Sequence, residues 1–194
     1  QEWFVEVEKK RSKSLSLVDK DSKKIVVMGF SGSGKSTLTK QLSKQFFLPA
    51  FHLDQHYFQV GWKPRPIDEV KKEVKKILQE DAWIVDGNYS ELYRDQRLKE
   101  ADEIVIFLFS KRLCYKQIKE RYKQHKGKVR DDAAPGCVEL LDKDFKRWVK
   151  KDGRTKRHYG RFYEIVNLYP NKTYILKNKK DLLLYSQKKG IDCV

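Results

Sequence analysis

Lys24-Ile25-Val26-Val27-Met28 runs directly into Gly29-Phe30-Ser31-Gly32-Ser33-Gly34-Lys35-Ser36-Thr37, and this passage decides the fold. A short apolar run without polar alternation reads as a strand covered on both faces. It ends in glycines and gives way to a helical stretch from Lys35 to about Phe47, which is how a helix-covered parallel sheet begins. The turn matches G-x-x-x-x-G-K-[ST]. Its glycines let the backbone curl until N–H groups converge on one centre, and the helix start adds its positive dipole end. The spacing therefore predicts that Gly29, Ser31, Gly32, Ser33, Gly34, Lys35, Ser36 and Thr37 hold a nucleotide triphosphate. Lys35 would neutralise the outer phosphates, and the Ser36 hydroxyl would ligate Mg²⁺.

Working outward, Phe51-His52-Leu53 reads as a second strand. Ile67 to Glu80 carries Val70, Val74, Ile77 and Leu78 at helical spacing, and Ala82 to Val85 is a third strand. Ile104 to Phe109 is a fourth, Leu113 to about His125 a basic helix, and Thr173 to Leu176 a fifth. Strands alternating with helices predict an α/β three-layer sandwich around a five-stranded parallel sheet. Residues 1 to 24 stand apart. The alternations Trp3-Phe4-Val5-Glu6-Val7 and Ser14-Leu15-Ser16-Leu17-Val18 suggest an appended hairpin, with an interaction arm as the functional alternative.

A chain of 194 residues fits one domain with a single core, here over residues 25 to 190. Its net charge of +16 points to polyanionic partners, nucleotides foremost and nucleic acid through the same charge. Lys111 to Arg161 alone holds 18 basic and 7 acidic residues. That stretch is either a phosphate-facing segment or a solvated helical surface. Three scattered cysteines without a Cys-x-x-Cys pair, no apolar run long enough to span a bilayer and no signal-like start lead us to expect a reduced, cytoplasmic, non-membrane protein, monomeric or weakly dimeric.

Ligands gather at the carboxyl ends of the strands of a parallel sheet. Asp86 closes Trp83-Ile84-Val85 and is expected to hold Mg²⁺ with Ser36; Gly87, Asn88 and Tyr89 follow it toward the substrate. Asp54 follows the second strand, where it can take a proton from a substrate hydroxyl or order Mg²⁺-bound water. The flanking His52 and His56 read as packing or surface residues. Phosphoryl transfer needs cations on the migrating phosphate, and Arg121 is the foremost candidate among Arg97, Arg112, Arg121, Arg130, Arg147, Arg154, Arg157 and Arg161.

These residues resemble a bacterial family of small P-loop kinases related to adenylate kinase, the DNA topology modulation proteins. The resemblance rests on the P-loop through Leu38, on Leu53-Asp54, Gly61-Trp62 and Trp83-Ile84-Val85-Asp86-Gly87-Asn88-Tyr89. It continues with Arg97, Ala101-Asp102, Ile106-Phe107-Leu108, Gly136-Cys137, Glu139, Phe145 and Trp148-Val149. It implies strand order 2-3-1-4-5, ATP as donor and a helical lid within about 122–160, with Arg121 at the lid base and Arg130 on the lid. Asp54, Asp86, Gly87, Asn88, Tyr89 and Arg97 would then face the acceptor. The chain departs from the family at Phe109-Ser110-Lys111, where an Asp and a Pro are usual, and in its first 24 residues.

The reading at this level is an ATP- and Mg²⁺-dependent phosphotransferase acting on a small acceptor. The alternative is an ATP-binding regulator associated with DNA topology that transfers phosphate poorly.

Overall fold

Five strands make one parallel sheet in the computed structural model, which describes residues 22–192. They are β1 (Lys24–Gly29), β2 (Ala50–His52), β5 (Trp83–Asp86), β6 (Glu103–Phe107) and β7 (Thr173–Leu176), and they lie in the order β2-β5-β1-β6-β7. Counted along the chain within this sheet, that is the expected 2-3-1-4-5. The expected hairpin of residues 1 to 24 falls almost wholly outside the described residues.

The central position of β1 follows from its composition. Ile25, Val26 and Val27 have no exposed surface, and both edges are paired. The register sets Val27 opposite Asp86 and Gly29 opposite Phe107. The turn after β1 thus leaves the sheet between two neighbouring strand ends, where an open α/β sheet has its crevice.

Helices α1 (Lys35–Phe46), α3 (Ile67–Leu78), α4 (Arg94–Glu100), α5 (Lys111–His125), α7 (Lys156–Leu168) and α8 (Lys179–Lys189) accompany the sheet. The α3 residues expected to face inward, Val70, Val74, Ile77 and Leu78, are all buried. Two short elements modify the expected pattern after β2. Leu53 leaves the strand to start α2 (Leu53–Tyr57), and a small antiparallel hairpin, β3 (Phe58–Gln59) and β4 (Lys63–Pro64), follows. Helix α5 begins two residues earlier than expected because Ser110 caps it, its hydroxyl accepting the Leu113 N–H at 3.2 Å.

The segment expected as a helical lid has a different character. Residues 126–141 contain no helix and are held by isolated bridges, Lys126 to Glu139 and Val129 to Val138. The short α6 (Lys143–Lys150) packs on α5, and a 3₁₀ turn over Asp152–Arg154 leads into α7. Helix α7 buries Phe162, Tyr163, Ile165 and Val166 in the main core, so its inward face is a fixed wall of the domain.

Candidate nucleotide site

The loop after β1 is built by its glycines and locked by its neighbours. Gly29 has φ +132°, and a Cβ there would stand 2.2 Å from the Phe107 carbonyl oxygen, so only glycine lets the two strand ends meet. Asn88 brackets the same residue: its Oδ1 accepts the Gly29 N–H at 2.9 Å and its Nδ2 donates to the Gly29 carbonyl at 2.8 Å. Gly32 presses on Ile118 and the Cys114 carbonyl of α5, whereas Gly34, at φ +99°, has nothing within 4 Å of where a Cβ would sit. The loop is therefore packed behind and open in front. Phe30 anchors it against Tyr159 and Phe162 of α7, with the Arg154 guanidinium 4.0 Å from its ring centroid.

Lys35 and Ser36 open α1 at this mouth. The Lys35 ammonium donates to the Phe30 carbonyl at 3.1 Å. The Ser36 hydroxyl donates to Asp86 Oδ2 at 2.8 Å, and His52 Nδ1 lies 3.0 Å from the same oxygen. Thr37 is exposed on the first turn of α1, and the Ser31 hydroxyl accepts the Trp148 indole N–H at 3.3 Å. His56 turns away to Glu73 at 3.0 Å, so the two histidines flanking Asp54 do not converge.

The residues fit a magnesium–triphosphate. The Ser33 hydroxyl in the loop is buried and has no hydrogen-bond partner among the described residues, an orphan polar group within the glycine-rich turn. Ser36 and Asp86 offer a hydroxyl and a carboxylate, the hard oxygen donors Mg²⁺ prefers. Among the described residues no cluster of three His, Cys, Asp or Glu is set to hold a metal alone. Mg²⁺ held by Ser36 and Asp86 would take its remaining ligands from phosphate and water, its usual habit in nucleotide sites.

Asp54 sits across from this pair. Asp54 is an exposed residue, and partial desolvation of its carboxyl by the surrounding protein raises its pKa. A hydrogen bond from the Tyr89 hydroxyl at 2.5 Å opposes the rise, the Asp86 charge adds to it, and Lys35 and Arg130 pull it down. Burial, with the Asp54 charge next to it, raises the Tyr89 phenol, which therefore stays the donor.

Two expected site residues have other work. Arg97 was expected to face the acceptor, but it has no exposed surface. Its guanidinium donates to three backbone carbonyls, those of Leu92, Gly87 and Tyr89. Burial lowers its pKa to about 10. It shapes the loop that presents Asn88 and Tyr89 from within the core, with no exposed surface of its own. Gly87 likewise serves as close packing, with a Cβ position only 2.9 Å from the Leu53 side chain.

Arg121 and Arg130 are brought together, but on a protein anion. Each donates its Nε to one oxygen of Glu139, at 2.7 Å, and Arg130 also reaches both oxygens of Asp132 at 2.7 Å. Glu139 and Asp132 are both buried. Burial would raise the Asp132 carboxyl, but Arg130, Lys40, the Ser36 hydroxyl and His52 hold it below the ordinary value. Asp132 is thus a third carboxylate beside the Ser36–Asp86 pair, unmarked by the sequence reading. Its signal was an Asp-Asp interruption, Asp131-Asp132, in an otherwise basic segment.

No family model matches the chain, and no curated protein matches it. Among solved structures, a deoxyadenosine kinase from M. mycoides with bound dCTP is similar at 18% identity with a TM-score of 0.41. The match covers 86% of this chain and 98% of that chain.

Proposed function

We propose that this chain is a P-loop kinase of the DNA topology modulation kind, moving the γ-phosphoryl group of ATP to a hydroxyl of a small acceptor. The observation that carries the reading is the position of Asp54. A carboxylate with a raised pKa, held by Tyr89, stands among the same side chains as Lys35 and the Ser36–Asp86 pair. That arrangement supplies a proton acceptor beside a phosphate cradle.

In this reading the backbone N–H groups from Gly29 to Lys35 take the phosphates, and Lys35 exchanges its Phe30 carbonyl for phosphate oxygens. Mg²⁺, when held by Ser36 and Asp86, supplies charge neutralisation between the outer phosphates. Asp54 takes the proton of the acceptor hydroxyl as its oxygen bonds to the γ-phosphorus; the bond from that phosphorus to the β,γ-bridging oxygen breaks and ADP leaves. Arg121 and Arg130 release Glu139 and Asp132 to meet the transferring phosphoryl group. The lid of this kinase is the segment within 122–160, and residues 25–190 are its catalytic unit, working in the cytoplasm.

The test is ATP consumption by the purified chain with Mg²⁺ against panels of nucleosides, nucleoside monophosphates and small hydroxyl metabolites. Turnover stimulated by a hydroxyl compound is expected. Stimulation confined to monophosphates would discard Asp54 as base, and none in any panel would favour an ATP-binding regulator.

A further inference from the structure

Residues 126–141 carry their own anions to the phosphate cradle. The three acids of residues 121–141 are Asp131, Asp132 and Glu139, and each is engaged by a cation. Glu139 accepts from the Nε of both Arg121 and Arg130, Asp132 accepts from Arg130 through both oxygens, and Asp131 accepts from Lys40 of α1 at 2.5 Å. Asp132 also has the Ser36 hydroxyl and His52 beside it, so it borders the helix start that would hold Mg²⁺ and the outer phosphates.

The segment crosses the cleft instead of lining one side of it. It leaves α5 beyond Arg121, one turn past the Ile118 side chain that packs against Gly32 of the loop. On the other side Gln55 of α2 donates to the Asp131 carbonyl at 2.5 Å, next to Asp54, whose pKa Arg130 pulls down. Asp131 is thus fastened to α1 by its side chain and to α2 by its backbone.

Guanidinium groups that fork onto carboxylates fork equally onto phosphate oxygens. A triphosphate and this segment therefore call on the same donors, those of Arg121, Arg130 and Ser36. An arginine nitrogen withdrawn to meet a phosphate strands Glu139 or Asp132, both buried, and a buried carboxylate without a partner is strongly unfavourable. Lifting the segment returns both carboxylates to water.

We propose that residues 130–139 form an internal competitor, a strap whose Asp132 and Glu139 hold the phosphate-binding donors until a triphosphate displaces them. This regulation rests on the reading of the loop after β1 as a triphosphate cradle. The apparent affinity is the intrinsic affinity reduced by the fraction of chains with the strap lifted, so whatever loosens the strap tightens the ligand.

Isothermal titration of the whole chain with inorganic tripolyphosphate in EDTA tests this, since that probe reads the cradle without nucleobase or metal. Lys40→Gln combined with Gln55→Ala unfastens Asp131 and leaves every carboxylate and arginine in place. This double variant is expected to bind about threefold tighter or more. Plain charge attraction predicts the reverse, because the variant has lost a cation. Asp132→Asn should also bind tighter. Hydrogen exchange at the Ala133 and Glu139 amides, which donate to the Arg130 and Lys128 carbonyls, should quicken when tripolyphosphate is added. Unchanged or weaker binding in either variant, or slower exchange with the ligand, would overturn the strap. Lys35→Ala reads the cradle alone. Binding absent from the parent, or equal in Lys35→Ala, would overturn the triphosphate reading and the competitor with it; Lys35-dependent binding without a gain in the double variant would overturn the competitor only.

Discussion

The Ser36 hydroxyl donates to Asp86 at 2.8 Å, which ties the first turn of α1 to the end of the adjacent strand β5. The bond exists because β1 and β5 are paired with Val27 opposite Asp86, so the helix that follows β1 starts beside that carboxylate. Ser36→Ala removes the hydroxyl and leaves the phosphate cradle. It is expected to raise the Mg²⁺ concentration needed for half-maximal turnover while nucleotide binding in EDTA stays near the parent value. A metal titration of turnover that superimposes on the parent's would remove Ser36 from the site.

Lys35→Ala is expected to lower triphosphate affinity and turnover by roughly 10²-fold or more, since it deletes a cation aimed at developing phosphate charge. Its thermal unfolding should match the parent, because the ammonium makes one bond in the described structure, to the Phe30 carbonyl. Isothermal titration with ATP decides this.

Asp54→Asn is expected to cut turnover by about 10²- to 10⁴-fold with ATP affinity nearly unchanged, the usual loss when a general base is removed. The pH profile adds a sharper check. The raised pKa of Asp54 means its proton-accepting form is lost at a higher pH than for an ordinary aspartate, so the acid limb of turnover lies correspondingly high. Tyr89→Phe removes the hydrogen bond that holds this pKa down and should shift the limb higher still. An acid limb unmoved in Tyr89→Phe would separate Asp54 from the chemistry.

Glu139 is a buried anion shared by two arginines, with its side chain 1% exposed. Glu139→Ala leaves the Arg121 and Arg130 guanidinium groups without it, and breaking a buried pair from one side costs about 3–5 kcal/mol. Chemical denaturation should show a loss of that size. A change below 1 kcal/mol would mean that the arginines find solvent or another acceptor.

The acid stability of the α3 face should depend on Glu73. Two hydrogen bonds from Arg65, at 2.7 and 3.0 Å, hold its pKa down to about 2, against 4.5 in the unfolded chain, with His56 assisting. A depressed carboxyl contributes stability above pH 4.5 that disappears as the pH falls toward 2. Because the side chain is 39% exposed, the contribution is about 1 kcal/mol or less. Glu73→Gln should reduce the parent's stability at neutral pH by that amount and flatten its decline below pH 4.5. Parallel curves would exclude this group.

The sheet was legible because its strands are short, mostly apolar runs alternating with helical stretches, and order 2-3-1-4-5 followed once a family resemblance was added. Asp54, Asp86 and the P-loop were legible because strand ends in a parallel sheet share one rim. Arg97 was not. Nothing local distinguishes an arginine spent on Leu92, Gly87 and Tyr89 carbonyls from one facing a ligand, since its partners are backbone atoms that every sequence possesses. The non-helical stretch 126–141 escaped for a related reason: Lys126 pairs with Glu139 and Val129 with Val138 through contacts between sequence-distant residues, without a short-range period to announce them.

The small hairpin β3–β4 and the stretch 133–138 are joined at several points. Gly61 N–H donates to the Gly136 carbonyl at 3.3 Å, the Trp62 indole to the Val138 carbonyl at 2.7 Å, and Phe58 and Trp62 pack with Ala133, Ala134 and Cys137. The two sides come from segments far apart in the chain, so an acceptor of the proposed reaction that entered between them would have to part this clasp, and the product would have to part it again. Throughput of the proposed kinase would then have a ceiling set by how often the clasp unfastens, whatever the speed of the bond-making step. Trp62, with its indole in the fastening, would report each event by its own fluorescence.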